Sequence, residues 1–197
     1  MESVFRLIDR EVWIVTAATP GARGGLLASW VMQTSLAPDW PMVAAGIASN
    51  HFTAKLIDAA GSFGLHLIGA DQIELALRFA LGSGRDFDKL AGLELRPNAA
   101  RAPILAECVA WLDCRVVSCF DTGDRRYYWA DVVAGGVCQP DVAPMREKQL
   151  FASASDEQLA VLRACRDGDI AIQRPLAEHW RRSITKTDRR SITGPNG

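Results

Sequence analysis

Between Glu11 and Val137 the apolar residues fall into short runs separated by Gly, Pro and Asp, the pattern of a chain of strands. The most informative run is Leu26 to Ser35. Leu26, Ala28, Trp30 and Met32 share one face, and Leu27, Ser29, Val31, Gln33 and Ser35 share the other. The spacing predicts a strand whose second face packs while still offering hydroxyl and amide groups to a guest. Pro38 and Pro41 interrupt the chain, and Met42 to Ala48 resumes as a second, more apolar strand. Glu11 to Ala18 reads as the first strand, closed by Thr19-Pro20-Gly21, with Pro20 to Gly25 a glycine-rich loop able to approach a ligand closely. Phe63 to Ile68, Cys108 to Phe120 and Arg126 to Val137 complete the set. The last two form a hairpin about Asp121-Thr122-Gly123-Asp124.

Helical spacing replaces alternation at Thr53 to Ala60, where Gly61 stands at the C-cap position and Ser49 or Asn50 at the N-cap. It returns at Asp71 to Leu81, with Asp71 as cap and Ile73, Leu75, Ala76, Leu77 and Phe79 on the apolar side. Ser155-Asp156-Glu157 opens a third helix with Leu159, Leu162 and Cys165 as its stripe, ending at Gly168. Pro175 starts a short fourth helix through Trp180. Arg181, Arg182, Lys186, Arg189 and Arg190 form a basic, Ser/Thr-rich tail. These elements describe an antiparallel β-barrel of about six strands with flanking helices. Residues 1–150 form the barrel domain and 151–197 a C-terminal helical extension and basic tail.

The chain has 197 residues, 49% hydrophobic and 23% charged, with a net charge of −1. That balance gives nucleic acid no general role, and the basic tail lacks the interleaved aromatics of a nucleic-acid arm. No apolar run approaches the roughly 20 residues of a membrane span, and Met1 to Arg10 lacks a signal-peptide layout, so the expected setting is cytoplasmic. The five cysteines, Cys108, Cys114, Cys119, Cys138 and Cys165, contain no C-x-x-C pair. They read as small buried hydrophobes, and no metal site is expected.

Two stretches carry candidate chemistry. Ser49-Asn50-His51-Phe52-Thr53 precedes and enters a helix, whose free N–H groups form an anion site for a phosphate; ordinary capping explains the same residues. Gly82 to Lys89, GSGRDFDK, is a loop with two glycines and the cations Arg85 and Lys89 beside the aromatic Phe87. The same composition suits a solvated, charged Ω-like loop. His66, alone in mid-strand, reads as a satisfied core or edge residue rather than a catalyst.

Taken in order, Gly25-x-x-Ala28-Ser29-Trp30-Val31-x-Gln33-x-Ser35-Leu36-x-Pro38, Ser49-Asn50-x-x-Thr53, Ala60 to Leu67, Asp71-Gln72-x-x-Leu75-Ala76-x-x-Phe79, Ser83 to Lys89 and Gly123-Asp124 resemble the flavin reductase-like family. The resemblance spans about Val12 to Val137. It implies the FMN-binding split β-barrel, of Greek-key type, and a homodimer with flavin at the subunit interface. It also implies that FMN or FAD is bound and reduced by NADH or NADPH. Electrons then pass to a monooxygenase, ferric iron or another acceptor. On this reading Ser49, Asn50 and Thr53 hold the flavin phosphate, with Lys89 reaching from across the cleft. The ring lies along Ala28, Ser29, Trp30, Gln33 and Ser35, and Arg85, Phe87 and Lys89 come from the neighbouring loop. Many relatives carry a His after the Gly-Asp pair; this chain has Arg125 there, and no catalytic residue is assigned. The cofactor carries the redox chemistry, which accounts for the lack of a triad, a carboxylate pair or a metal set. The alternatives are a non-catalytic flavin carrier or electron-transfer protein and, last, an oxidase of vitamin B6 type, whose basic motifs are missing.

Overall fold

The computed structural model of the protein describes residues 2–97 and 102–191, with side chains described over 3–97, omitting Glu2, and over 102–184. Leu26 to Ser35 does not keep one alternation: Leu26, Ala28 and Val31 pack on the same core while Trp30 and Met32 are exposed, and the chain makes two strands of the run. After α1 (Glu2–Phe5) and β1 (Trp13–Thr19), β2 runs from Ala22 to Ala28 and β3 from Val31 to Gln33. Ser29 and Trp30 lie at the bend between them. β2 pairs antiparallel with β1, from Thr19↔Ala22 to Trp13↔Ala28, around Pro20-Gly21. The segment expected to be a loop is therefore largely strand, because only two residues are needed to turn a tight hairpin. β3 pairs instead with β4 (Met42–Ala48), and Gly46 N–H donates to Trp30 O at 2.8 Å.

The remaining elements are α2 (Phe52–Ala60), β5 (Ser62–Leu67), α3 (Ile73–Ala80), β6 (Leu95–Arg96), β7 (Ile104–Leu105), β8 (Ala110–Asp121), β9 (Arg125–Val137), α4 (Glu147–Ser153) and α5 (Asp156–Ser191). The main sheet has seven strands in the order β2-β1-β5-β8-β9-β4-β3, every neighbouring pair antiparallel, and β6–β7 form a small separate pair. β2 and β3 stand at opposite edges of that order but are continuous in the chain. The bend at Ser29-Trp30 therefore links the two edges of the curled sheet, as in a split barrel.

The core lies on two sides of this sheet. Val15, Ile47, Leu56, Ile57, Phe63, Leu65 and Tyr128 pack between strands and α2. Ile14, Ile68, Phe79, Leu90, Met145 and Leu150 pack beneath α3 and α4. Gly61 ends α2 at φ 66°, its N–H bonded to Ile57 O at 2.8 Å, a left-handed cap that suits glycine. Tyr128 O–H reaches both Ala54 O at 3.2 Å and Asp58 Oδ1 at 2.9 Å, and Arg126 pairs with Asp58 and Asp121, fixing α2 to β9.

His66 is fully buried in β5. Its Nδ1 faces Ile14 O at 3.0 Å and its Nε2 accepts from Leu105 N–H at 3.0 Å, so both ring nitrogens are satisfied by backbone in one neutral tautomer. Burial lowers its pKa from 6.5 to about 4. The cysteine expectation holds for Cys108 and Cys114, which are buried, but Cys119 and Cys165 are exposed; all five are free thiols. Cys119 lies on the end of β8 where Val117 to Phe120 are all exposed, and Cys165 lies on the side of α5 that borders the cavity described below.

The C-terminal region departs furthest from expectation. Ser155 caps as read, accepting from Gln158 N–H at 3.2 Å while Gln158 Oε1 accepts from Ser155 N–H at 2.8 Å, a reciprocal capping box. The helix then continues through Gly168 and Pro175 as one 36-residue element. An interior proline costs about 3 kcal/mol of helix stability. Contacts on both sides of it oppose the break: Gln173 bonds Asn50, and Trp180 meets Phe120 edge-on at 6.2 Å between ring centroids. Of the basic tail, Lys186, Arg189 and Arg190 lie outside the described side chains.

Candidate functional site

The first turn of α2 faces a cavity of about 460 Å³ bounded by Gly25 to Leu27 of β2, Asn50 to Thr53, the loop residues Gly82 to Arg85, and Lys89. α5 supplies the remaining wall through Cys165, Gly168, Asp169 and Ile172. The volume suits a nucleotide-sized guest. A larger cavity of about 750 Å³ beside α3 carries Asp71, Glu74, Glu94 and Glu107 against one arginine, Arg78. That balance disfavours an anion, so the smaller cavity is the better candidate.

Chain geometry builds its cationic side. β2 carries the close-packed pair Gly24-Gly25 at its middle, and a Cβ at Gly25 would sit 2.6 Å from the Phe79 ring and 2.8 Å from Val15 O. The bare backbone lets the loop after α3 fold over the strand. Arg23 clamps that loop, Nη2 to Asp88 Oδ2 at 2.7 Å, and the guanidinium beside it holds the Asp88 carboxyl below its usual range. Lys89 is thereby turned inward and buried, its Nζ donating to Phe79 O at 2.8 Å. Burial lowers its pKa from 10.5 to about 8. Among the described residues no carboxylate pairs with Lys89. One of its three donors is given to a backbone carbonyl, and an ammonium with donors to spare is a group an anion could engage.

The residues singled out from sequence divide into groups. Asn50, Thr53, Arg85 and Lys89 meet in this cavity. Arg85 and Phe87 also border an adjoining hollow of about 700 Å³ with Arg23 and Phe52. Lys89 Nζ lies 5.8 Å from the Phe87 ring centroid. Ser29 and Trp30 border a different cavity with Met32, Gly46 and Tyr127. Ser29 Oγ bonds Glu147 Oε1 at 2.5 Å, and Gln33 Nε2 donates to Ser35 O at 2.6 Å. Ala28 closes β2 immediately before the bend. Arg125 packs over Trp30, Cζ 4.3 Å from the ring centroid, with its buried Nε lacking a hydrogen-bond partner.

The caps differ from the sequence reading. His51, not Ser49 or Asn50, is the N-cap of α2, and it makes no side-chain cap bond. Ser49 Oγ donates to Gly123 O at 3.0 Å. Gln72 takes the same position for α3 in place of Asp71. Asn50 and His51 instead turn to α5. Asn50 Nδ2 donates to Asp169 Oδ1 at 2.8 Å, His51 Nε2 lies 2.8 Å from Asp169 Oδ2, and Gln173 Nε2 donates to Asn50 Oδ1 at 3.2 Å. Asp169, Gln173 and His51 were not apparent as site residues. The signal was the spacing 165, 169, 172, 173, 176, 180, one face of an uninterrupted helix, hidden by Gly168 and Pro175.

The flavin reductase like domain model matches residues 5–150. The reductase component of 4-nitrophenol 4-monooxygenase/4-nitrocatechol 2-monooxygenase from Rhodococcus opacus is 37% identical over 122 residues, covering 62% of this chain and 63% of that protein. A putative diflavin flavoprotein A 1 from a Nostoc species is 29% identical over 142 residues, 70% of this chain but 24% of its own length. The chain thus spans about a quarter of the diflavin proteins it matches. Among solved structures, the NADH:FAD oxidoreductase of Streptomyces globisporus superposes with a TM-score of 0.66 at 22% identity, over 74% of this chain and 85% of that one. A Methanosarcina acetivorans flavoredoxin gives 0.62 at 20% identity, over 70% and 84%. At such identities the superpositions establish the split-barrel fold.

Proposed function

The chain belongs to the flavin reductase-like family, and on that premise we propose that it binds FMN or FAD and reduces it with NADH or NADPH for a separate acceptor, such as a monooxygenase. The observation that carries this reading is the cavity at the start of α2, where buried Lys89, Arg85, Thr53 and the free N–H groups of the helix converge. Those donors suit the phosphate. The backbone of Gly25 to Leu27 leads on to Ala28, Ser29, Trp30, Gln33 and Ser35, the edge we assign to the ring. Bound flavin would supply the hydride and electron chemistry; the protein holds its phosphate, excludes water from one side and leaves the other open to the nicotinamide.

The monooxygenase reductase component among the relatives supports a diffusing or partnered acceptor. The diflavin relatives favour a second reading, an electron-transfer module that holds its flavin without nicotinamide turnover. We further propose a cytoplasmic homodimer. Trp30, Met32, Leu36 and Trp40 are 44%, 56%, 96% and 67% exposed, an apolar surface that a second copy would cover. The match ends at 150, which supports taking 1–150 as the flavin domain and 151–197 as an addition.

The test is optical. Purified protein is titrated with FMN and FAD, then given NADH or NADPH without oxygen. Loss of the oxidised flavin's visible absorption is the expected result. Binding without bleaching selects the electron-transfer reading, and no binding refutes both. Sedimentation at micromolar concentration reads the oligomeric state.

A further inference from the structure

The proposed phosphate site already contacts an anion, and that anion belongs to the chain. Asp169 of α5 approaches Asn50 and His51 with one carboxylate oxygen each, both at 2.8 Å. Gln173 takes the other end of the Asn50 amide, so both polar groups of that side chain are spent on α5. Cys165, Gly168 and Ile172 bring the same helix along the cavity wall. A phosphate at the start of α2 would meet the like charge of Asp169 and find Asn50 engaged.

The helix is also made to yield. Pro175 removes one backbone bond from its interior and Gly168 adds chain freedom. Ile170, Ile172 and Leu176 remain 37%, 52% and 41% exposed, so this stretch of α5 buries its apolar side chains only in part. Along the cavity its hold on the barrel is polar, the Asp169 and Gln173 bonds; further along the helix Trp180 meets Phe120.

We propose that α5 is a built-in competitor for the flavin phosphate, a strap whose Asp169 must leave Asn50 and His51 before a phosphate-bearing flavin seats fully. The inference rests on the flavin reading above. It assigns the extension beyond residue 150 a role in flavin affinity. A weakened hold suits a protein that hands its flavin to an acceptor, and riboflavin, which has no phosphate, escapes the competition.

The test uses the full chain as wild type, Asp169→Ala, Asp169→Asn and, as a control for charge, Glu178→Gln, nine residues further along α5 on an exposed position. FMN and riboflavin are titrated by fluorescence, and hydrogen exchange across 165–180 is followed with and without FMN. Asp169→Ala should bind FMN about tenfold more tightly, the size of one charge-assisted bond relieved, with Asp169→Asn between it and wild type. Riboflavin affinity should be the same in all four proteins, Glu178→Gln should match wild type, and FMN should speed exchange across the strap. FMN bound equally or more weakly by Asp169→Ala overturns the competitor while leaving the flavin reading intact. So does an equal gain for riboflavin. No flavin binding by any of the four overturns both.

Discussion

His66 and Lys89 are both buried titratable side chains, and in both burial moves the pKa toward the neutral form. They differ in what surrounds them. His66 has each ring nitrogen matched to a backbone group, with no donor or acceptor to spare. Lys89 gives one bond to Phe79 O and lines a cavity. Burial alone therefore does not mark a functional group; an unspent hydrogen-bonding capacity beside open space does. The region around His66 is structure completed, and the region around Lys89 is where the proposed flavin phosphate would be read.

The sharpest way to break this contrast is to remove His66. His66→Ala leaves Ile14 O and Leu105 N–H buried and unpaired and opens a cavity, so denaturant titration should show a loss of about 4 kcal/mol. Acid gives a related, slightly smaller effect. The unfolded chain binds a proton on this histidine below its ordinary value of 6.5, while the native chain resists it down to about 4. Stability is therefore complete above that ordinary value and should fall by about 3 kcal/mol as pH drops toward the native one. His66→Ala should flatten that part of the pH profile, and an unflattened profile would remove His66 from the explanation.

Lys89→Met should do the reverse. Stability should change by less than about 1 kcal/mol, because a buried charge and one bond are exchanged for an apolar side chain of similar length. FMN affinity should fall more than about tenfold, read by fluorescence titration. In the wild type, FMN affinity should also weaken as pH rises through about 8, where Lys89 begins to lose its proton, and the variant should lack that dependence. Thr53→Ala should weaken flavin binding by about tenfold, whereas Ser49→Ala, whose hydroxyl bonds Gly123 O outside the cavity, should leave it near wild type. Arg125→Ala marks the small end. Its contact with Trp30 is worth about 0.5–1 kcal/mol, and flavin potential and nicotinamide Michaelis constants should stay near wild type.

Most of the strand segments, the two barrel-side helices, the Gly61 cap and the hairpin at Gly123 were legible because each is written in nearby residues: alternation, helical spacing, a glycine where φ turns positive. The bend at Ser29-Trp30 was not, since alternation in the sequence runs straight through it and only pairing with β4 reveals it. The hairpin at Pro20-Gly21 was hidden by glycines that resemble a loop but pair as a strand. Arg85, Lys89, Asn50 and Thr53 were gathered from sequence into one site, and they do line one cavity. Asp169 could not be found that way. Its partners lie more than a hundred residues away, and local breakers argued against the helix that carries it.

Gly123 sits at the meeting point of these regions. At φ 83° it turns the β8–β9 hairpin, its carbonyl takes the Ser49 hydroxyl, and a Cβ there would come within 2.4 Å of Leu176 O on α5. The hairpin tip is thus the bench on which α5 rests. A side chain at this position acts as a wedge under the helix and holds it off from one end, at the expense of strain in the turn. Gly123→Ala is in that sense a mechanical jack, lifting the far end of the strap without touching any residue that meets the cavity.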